Sequence, residues 1–281
     1  MKNRVLTSVA IFISLMLLII FSEFIFYSVA LGLLAVVAAY EMFRVIGLQK
    51  KLILTVPAYF IVISFPIVAY FLESSGELRF LLVFAACLFV YLMWLMCVSV
   101  FSRGSIPFSK ISEVFVAVTY VSISLTSLSL IRYMNSEFGL FTVLLVFIIA
   151  WVSDIFAFAV GSLIGKHKLI PEVSPKKTVE GAIGGIVFSI IACVLYGLLI
   201  DIFVEEAKVY YLVLSVFGLV LSVVSQIGDL IASVIKREYG IKDYGKIFPG
   251  HGGVMDRFDS VFAVSTIMMI LCIIFPPFAS I

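Results

Sequence analysis

The sequence predicts an all-α integral membrane protein with about nine transmembrane helices. Of its 281 residues, 63% are hydrophobic and only 13% are charged. Soluble domains carry about 25% charged residues, so this composition excludes an ordinary water-soluble domain. The apolar residues also fall in runs of about 20, the length of an α-helix that crosses the hydrocarbon layer.

Nine apolar runs define the expected spans. They lie near residues 5–21, 24–40, 52–72, 80–101, 111–131, 138–164, 181–204, 209–235 and 254–275. The first run follows Lys2 and Arg4, as the core of a signal peptide would, but no small-residue cleavage site follows it. We therefore expect this run to be retained as a helix.

The basic residues are distributed unevenly between the two sides of these spans. One side consists of the amino terminus and the loops after spans two, four, six and eight. It holds Lys2, Arg4, Arg44, Lys50, Lys51, Arg103, Lys110, Lys166, Lys168, Lys176, Lys177, Lys236, Arg237, Lys242, Lys246 and Arg257. The other side holds only Arg79, Arg132 and Lys208. Since cytoplasmic loops are enriched in Lys and Arg, the amino terminus is predicted to be cytoplasmic and the carboxyl terminus external.

The two halves of the chain differ in their polar content. Residues 1–135 contain apolar spans with short connections and are predicted to form a hydrophobic scaffold. Residues 136–281 carry two long polar connections, 166–180 and 236–253, both on the predicted cytoplasmic side. Long loops in a compact protein are usually functional or disordered, and we expect this half to be catalytic.

The sixth predicted span carries one acid on a face of small residues. Ala150, Asp154, Ala157, Gly161 and Gly165 recur at spacings that place them on one side of a helix. Another helix can approach closely along such a face. The acid has two interpretations, a functional carboxylate or a packing seam in which it pairs with a lysine.

The segment Ser174-Pro-Lys-Lys-Thr-Val-Glu-Gly181 precedes the seventh span. Pro175 ends any helix before it, so Lys176, Lys177 and Thr178 should stand just ahead of a helix amino terminus. Lysines, a hydroxyl and free backbone N–H groups at a helix start can hold a phosphate. The alternative is an ordinary positively charged loop. Gly181 and Gly185 should let the seventh span pack tightly, on the sixth.

The eighth and ninth spans contribute further acids and bases. A polar stripe follows the eighth span at helical spacing: Ser222, Ser225, Asp229, Ser233 and Lys236. Asp256 and Asp259 are three residues apart and should face the same way at the start of the ninth span. With Asp229, they could form an oxygen-rich cation site that favours Mg²⁺ over zinc. The alternative is that these acids neutralise Lys236, Arg237 or Arg257.

His251 lies in the segment Pro-Gly-His-Gly-Gly, whose neighbours allow the backbone to approach a ligand closely. Two roles remain open for this side chain. It could bind phosphate or transfer a proton, or it could fix the loop by hydrogen bonds.

Residues 233–260 resemble the signature of the phosphatidate cytidylyltransferase (CDP-diacylglycerol synthase) family. The matching pattern is Ser233-x2-Lys-Arg-x4-Lys-Asp-x-Gly-x3-Pro-Gly-His-Gly-Gly-x2-Asp-Arg-x-Asp-Ser260. The segment at 174–181 and the series Asp154, Gly161, Gly165 and Lys166 also resemble that family, in the same order. The specific resemblance covers residues 150–260.

The resemblance implies an enzyme that condenses CTP with phosphatidic acid to give CDP-diacylglycerol and pyrophosphate. It also implies a polytopic helical fold in the cell membrane with the active site facing the cytoplasm, dependence on Mg²⁺, and a homodimer. A second cation is left open, and no nucleic-acid partner is expected. The metal ligands would be Asp229, Asp256 and Asp259. The catalytic group would be Asp229, Lys236, Arg237, His251 and Asp256. Substrate contacts would come from Asp154, Ser174, Lys176, Lys177, Thr178, Glu180, Lys242, Asp243 and Arg257.

Two other functions use similar residues. A membrane CDP-alcohol phosphotransferase also clusters aspartates at a helix end, but its Asp-x2-Asp-Gly-x2-Ala-Arg pattern is absent, because Ser260 and Val261 follow Asp259. An ion-coupled transporter would place polar residues near the middle of the membrane, often in repeated halves. The sequence has no internal repeat, and its charges gather on one side.

The distribution of basic residues predicts the topology directly. Reporter proteins fused after Lys51, Lys177 and Lys246 should report a cytoplasmic location, and a reporter at the carboxyl terminus should report an external one. A cytoplasmic carboxyl terminus in this experiment would refute the nine-span count.

Overall fold

The computed structural model describes residues 16–71, 77–135, 137–248 and 252–280. Within these ranges, eight helices are long and apolar enough to cross a membrane. They are α1 Ile25–Ile46, α2 Leu52–Tyr70, α3 Glu77–Phe101, α4 Phe108–Tyr133, α5 Gly139–Ile164, α6 Val179–Phe203, α7 Tyr211–Glu238 and α8 Met255–Ile274. The protein is therefore an all-α, multi-pass membrane protein, as predicted. Of the first predicted span, residues 16–20 are helical and residues 5–15 lie outside the described ranges, so the count of nine stays a prediction.

Four short strands accompany the helices. Strand β1, Lys168–Ile170, pairs antiparallel with β2, Ser174–Thr178. Strand β3, Ala207–Val209, pairs antiparallel with β4, Phe278–Ser280, after the last helix. The polar connection predicted at 166–180 is therefore largely a β-hairpin.

The chain divides into two compact units, and the second is interrupted by part of the first. The first unit comprises residues 1–134 and 241–257, and the second comprises residues 135–240 and 258–281. The predicted separation into a scaffold and a catalytic half concerns activity and stays a prediction.

In the first unit, helices α1, α2 and α4 pack on one another, and α3 packs on α2 and α4. Helix α2 contains Pro57, which has no N–H to donate to the carbonyl of Ile53. The indole N–H of Trp94 on α3 donates to that carbonyl at 2.9 Å instead. The hydroxyl of Tyr91 donates to the neighbouring carbonyl of Leu54 at 3.0 Å. The proline thus creates an acceptor that fixes the position of α3 on α2.

In the second unit, α5, α6 and α7 pack closely because glycines lie at their contacts. A Cβ on Gly181 would lie 2.5 Å from the carbonyl oxygen of Ala157, and one on Gly185 would lie 2.8 Å from that of Ser153. The predicted packing of the G-x-x-x-G face on the preceding span is therefore confirmed. At the α6–α7 contact, a Cβ on Gly218 would lie 2.7 Å from the Cα of Ile190.

The α6–α7 contact generates a prediction about stability. An alanine is normally the better helix former, by about 1 kcal/mol over glycine. At position 218 its methyl group would overlap the backbone of Ile190 and push the helices apart. Gly218→Ala should therefore destabilise the protein by about 1–3 kcal/mol, the usual cost of overpacking. Thermal denaturation in detergent should show a lower midpoint. Val216→Ala, at a lipid-exposed position of the same helix, is the control. An unchanged or raised midpoint for Gly218→Ala would contradict this account.

Candidate functional site

The β-hairpin places the predicted lysines at the start of α6. Thr178 is the residue that caps this helix, and its hydroxyl oxygen accepts a hydrogen bond from the backbone N–H of Gly181 at 3.1 Å. A side-chain oxygen at this position satisfies one of the N–H groups that the first turn leaves without a partner. Ser174, Lys176 and Lys177 lie on β2, directly before the cap. The helix start predicted from Pro175 and the following residues is therefore confirmed.

Glu180 closes the base of this hairpin. Its carboxylate accepts hydrogen bonds from the backbone N–H of His167 and lies 2.6 Å from Nδ1 of the same residue. The backbone N–H of Val179 donates to the carbonyl of His167 at 2.9 Å. Glu180, predicted to contact substrate, thus holds the hairpin on the helix, and His167 is its partner.

The two hairpin lysines face opposite ways, because side chains alternate along a strand. Lys176 is exposed, whereas the side chain of Lys177 is 25% exposed and its Nζ lies 2.7 Å from Oδ2 of Asp229. Asp229 lies on α7, and its other oxygen accepts a hydrogen bond from the hydroxyl of Ser233 at 3.4 Å. The sequence predicted both residues for the site, but it did not predict this ion pair.

Two further carboxylates lie near this pair. Asp154 on α5 and Asp259 on α8 are close enough to Asp229, and to each other, to interact electrostatically. Ser260 joins the two, because its hydroxyl donates to Asp154 Oδ2 at 3.1 Å and its backbone N–H donates to Asp259 Oδ1 at 2.8 Å. We call Asp154, Asp229, Asp259 and Lys177 the acidic cluster.

Small residues let the helices that carry the acidic cluster come together. A Cβ on Gly228, next to Asp229, would lie 2.9 Å from the carbonyl oxygen of Asp259 and 2.7 Å from the Cβ of Ala263. The face of α5 that carries Asp154 contacts α6 through Ala157 and Gly161. The face predicted from small residues therefore serves both as a packing seam and as the location of an acid.

Basic residues at the end of α7 adjoin the same region. Lys236 interacts electrostatically with Asp259. The Nε of Arg237 donates to the carbonyl of Val173 in the hairpin turn at 3.4 Å. These contacts place the predicted bases beside the hairpin and the acids.

The donor set of the acidic cluster suits a hard divalent cation. Carboxylate oxygens are the ligands that Mg²⁺ prefers, and three carboxylates here face the ammonium groups of Lys177 and Lys236. Across the described ranges, no three His, Cys, Asp or Glu side chains are arranged to hold a metal ion. The chemistry of the residues fits Mg²⁺, and the ligand set stays a prediction.

Asp256, the remaining predicted ligand, belongs to the first unit. Its Oδ2 accepts hydrogen bonds from the backbone N–H groups of Tyr244 at 2.7 Å and Gly253 at 2.9 Å. It therefore joins Tyr244 to Gly253, and we call the described residues 241–248 and 252–254 the connecting loop. Asp256 and Asp259 both lie in the first turns of α8, three residues apart as predicted.

The remaining predicted residues come from this part of the sequence and from the start of α8. Lys242 and Asp243 are exposed, as is Arg257 in α8. His251 lies outside the described residues. Sequence reasoning missed Glu41 of α1, whose carboxylate accepts backbone hydrogen bonds at the end of this loop. No signal in the sequence indicated it, because Glu41 stands directly after the predicted second span, 24–40, and only the structure extends this helix to Ile46.

Comparison with known proteins identifies relatives over the whole chain. The model of the cytidylyltransferase family matches residues 2–275. A phosphatidate cytidylyltransferase of Bacillus subtilis is 31% identical over 280 residues, which is 98% of each chain. One from Staphylococcus haemolyticus is 33% identical over 246 residues, covering 86% of this chain and 87% of the relative. One from Staphylococcus saprophyticus is 38% identical over 179 residues, 64% of this chain and 65% of the relative.

Proposed function

The chain belongs to the cytidylyltransferase family, and on that premise we propose that it converts CTP and phosphatidic acid to CDP-diacylglycerol and pyrophosphate. Relatives that carry the name of this activity support the proposal, one of them along 98% of the chain. The structural observation that supports it best is the acidic cluster. A lysine directly before a helix start and three carboxylates, all half-buried, lie close together there, in a chain of which only 13% is charged.

The reaction needs positioning and charge neutralisation more than activation of a nucleophile. An oxygen of the lipid phosphate forms a bond to the α-phosphorus of CTP, and the bond from that phosphorus to the bridging oxygen breaks. The electron pair leaves with pyrophosphate. Phosphoryl and nucleotidyl transfer depend mainly on in-line placement and on cationic groups around the phosphates. We assign the cationic role to Lys177, Lys236 and Arg237.

We propose Mg²⁺ as the cofactor, held by Asp229 and Asp259 of the second unit and by Asp256, one turn before Asp259 on α8. When bound, the ion would neutralise charge on the phosphate oxygens of CTP. Asp229 is the principal ligand in this proposal, because it lies well inside the apolar helix α7, more than two turns before its end at Glu238, where a carboxylate is costly without a partner. In the structure, this carboxylate is paired with Lys177.

The other predicted residues receive the following proposed roles. Thr178 and Glu180 shape the hairpin that presents Ser174 and Lys176 to substrate phosphates. Asp154, held by Ser260, is proposed to face the substrate from α5. In the first unit, Lys242, Asp243, His251 and Arg257 are proposed to contact the substrates.

The setting of the site is also a proposal. CTP is soluble in water and the lipid phosphate lies at the membrane surface, so the site should face the cytoplasm, where the basic loops are predicted. The family resemblance leads us to propose a homodimer.

The activity is tested on the purified full chain in mixed micelles. It should release pyrophosphate from CTP only when phosphatidic acid is present, and chelation of divalent cations should stop the reaction until Mg²⁺ is restored. A CDP-alcohol phosphotransferase or a transporter would not release pyrophosphate from CTP. Absence of lipid-dependent release from folded protein would refute the proposed function.

Asp229→Asn should abolish turnover in this assay, because the variant loses the charge that binds both Lys177 and the proposed cation. We expect the same of Asp256→Asn, with a smaller and less uniform loss for Asp259→Asn. Asp201→Asn is the matched control, since Asp201 is an exposed aspartate at the far end of α6 that accepts a hydrogen bond from Tyr211. Activity of Asp229→Asn within about tenfold of wild type, ~1.4 kcal/mol of barrier, would remove Asp229 from the site.

The hairpin lysines allow a second test of the site. The double change Lys176→Arg and Lys177→Arg should lower kcat/KM at least about tenfold, since the planar guanidinium cannot replace the compact ammonium at a tight contact. Because only Lys177 contacts Asp229, most of the loss should appear in Lys177→Arg alone. Lys168→Arg on the exposed strand β1 is the control. Full activity of the double variant would favour the alternative that the loop supplies only positive charge.

A further inference from the structure

Glu41 is a buried carboxylate in a helix that the sequence assigns to the scaffold. Its residue is only 1% exposed, and it lies about one turn before the end of α1. A carboxylate buried among apolar residues is costly unless it is hydrogen-bonded. Its partners therefore indicate why the acid is there.

Those partners are the first backbone N–H groups of α8. Oε1 accepts from Val254 at 3.1 Å, and Oε2 accepts from Met255 at 2.9 Å. The first N–H groups of a helix have no partners within the helix, and a negative charge at this end also favours the helix dipole. Glu41 thus caps α8 from another helix, with both oxygens in use.

Arg44, three residues along the same helix, binds the other end of the connecting loop. Its guanidinium donates to the carbonyl of Tyr244, a fully buried residue. The N–H of Tyr244 in turn donates to Asp256 of α8. Glu41 and Arg44 therefore hold both ends of a loop that is also tied to α8 by Asp256.

The glycines of the loop fit closely around the Glu41 carboxylate. A Cβ added to Gly245 or to Gly253 would overlap the carboxylate oxygens of Glu41. The spacing of these two glycines within the family-like signature thus has a physical reason in α1, outside the signature.

We propose that Glu41 is a positioning residue for the reaction. It fixes the start of α8, and so the direction in which the first turn of that helix presents Asp256 and Arg257. The contacts of Glu41 lie within the first unit and do not depend on the proposed function. Only the kinetic measurement below rests on that function.

The chemistry requires a carboxylate and not merely a polar side chain. Each oxygen of Glu41 accepts one N–H. In Glu41→Gln, one oxygen becomes an NH₂ group that faces a backbone N–H, so one hydrogen bond is lost and two donors oppose each other. The volume of the side chain is unchanged, which keeps the packing of α1 intact.

The test is the kinetics of Glu41→Gln in the full-length protein, with rates expressed per folded, monodisperse protein. We expect kcat to fall at least about tenfold, and KM for CTP to change less than kcat. Glu113→Gln is the matched control, since Glu113 pairs with Lys110 at the protein surface in the same unit and should leave kcat within about twofold. Amide hydrogen exchange should also be faster in peptides that contain Val254 and Met255 in Glu41→Gln, but not in the control.

A second variant reaches the same contact from the opposite side. Gly253→Ala keeps Glu41 as a glutamate, but the added methyl group pushes its carboxylate away from the N–H groups of α8. We therefore expect kcat again to fall at least about tenfold. The two changes disturb one contact and should not act independently. The double variant should therefore be no more than about threefold slower than the slower single variant.

Several outcomes would overturn the inference. They are a kcat within about threefold of wild type for either folded single variant, losses that multiply in the double variant, or failure of every variant to fold. The last result would indicate a purely architectural role. Inactive wild-type protein would instead refute the proposed function, so the two failures are distinguishable.

Discussion

A carboxylate within an apolar helix must have a partner, and the second unit is organised around this requirement. Charge in the hydrocarbon layer costs several kcal/mol, so an acid persists there only when it is paired or serves a function. Asp229 is paired with Lys177, which comes from a hairpin outside the helices. Asp154 and Asp259 share Ser260. Because the lysine belongs to the hairpin, the position of the hairpin and the charge on α7 depend on each other. A substitution in the hairpin should therefore alter the environment of Asp229, and a substitution of Asp229 should alter the position of the hairpin.

Close helix packing is the second condition for this arrangement. Long side chains between α5 and α6 would separate the helices that bring the hairpin and Asp154 together. Gly181 and Gly185 remove that obstacle, since the backbone of α5 occupies the space where their side chains would be. Membrane helices gain little from apolar association in lipid, so such close contacts supply much of their packing energy. The glycines therefore serve both stability and the placement of charged groups.

The sequence predicts most of this fold because the apolar runs are long and the polar residues are few. Within the described residues, the eight later spans appear as helices with small shifts at their ends. The largest shift is at α1, which continues to Ile46 where the apolar run suggested an end near residue 40. The start of α6 also follows from local chemistry, since Pro175 and Thr178 act on adjacent residues. Local rules of this kind are readable without any tertiary information.

The parts that could not be predicted depend on distant partners. The divergence of Lys176 and Lys177 requires knowing that their segment is a strand, and a polar loop gives no alternation of apolar residues to indicate one. Glu41 and Val254 are 213 residues apart. The sequence around Glu41 therefore does not indicate which residue it contacts. An intramembrane acid with Arg44 three residues later looks like a pair that neutralises itself. Only the fold shows that each side chain holds a different part of the connecting loop.

The acids proposed for the site differ in their contacts, although the sequence suggests that they form one group. Asp256 accepts two backbone N–H groups of the connecting loop. Asp154, Asp229 and Asp259 instead interact with one another, and like charges at short range oppose one another. Lys177 and Lys236 are cationic groups that offset this repulsion. Asp256 is therefore first of all the residue that ties the connecting loop to α8.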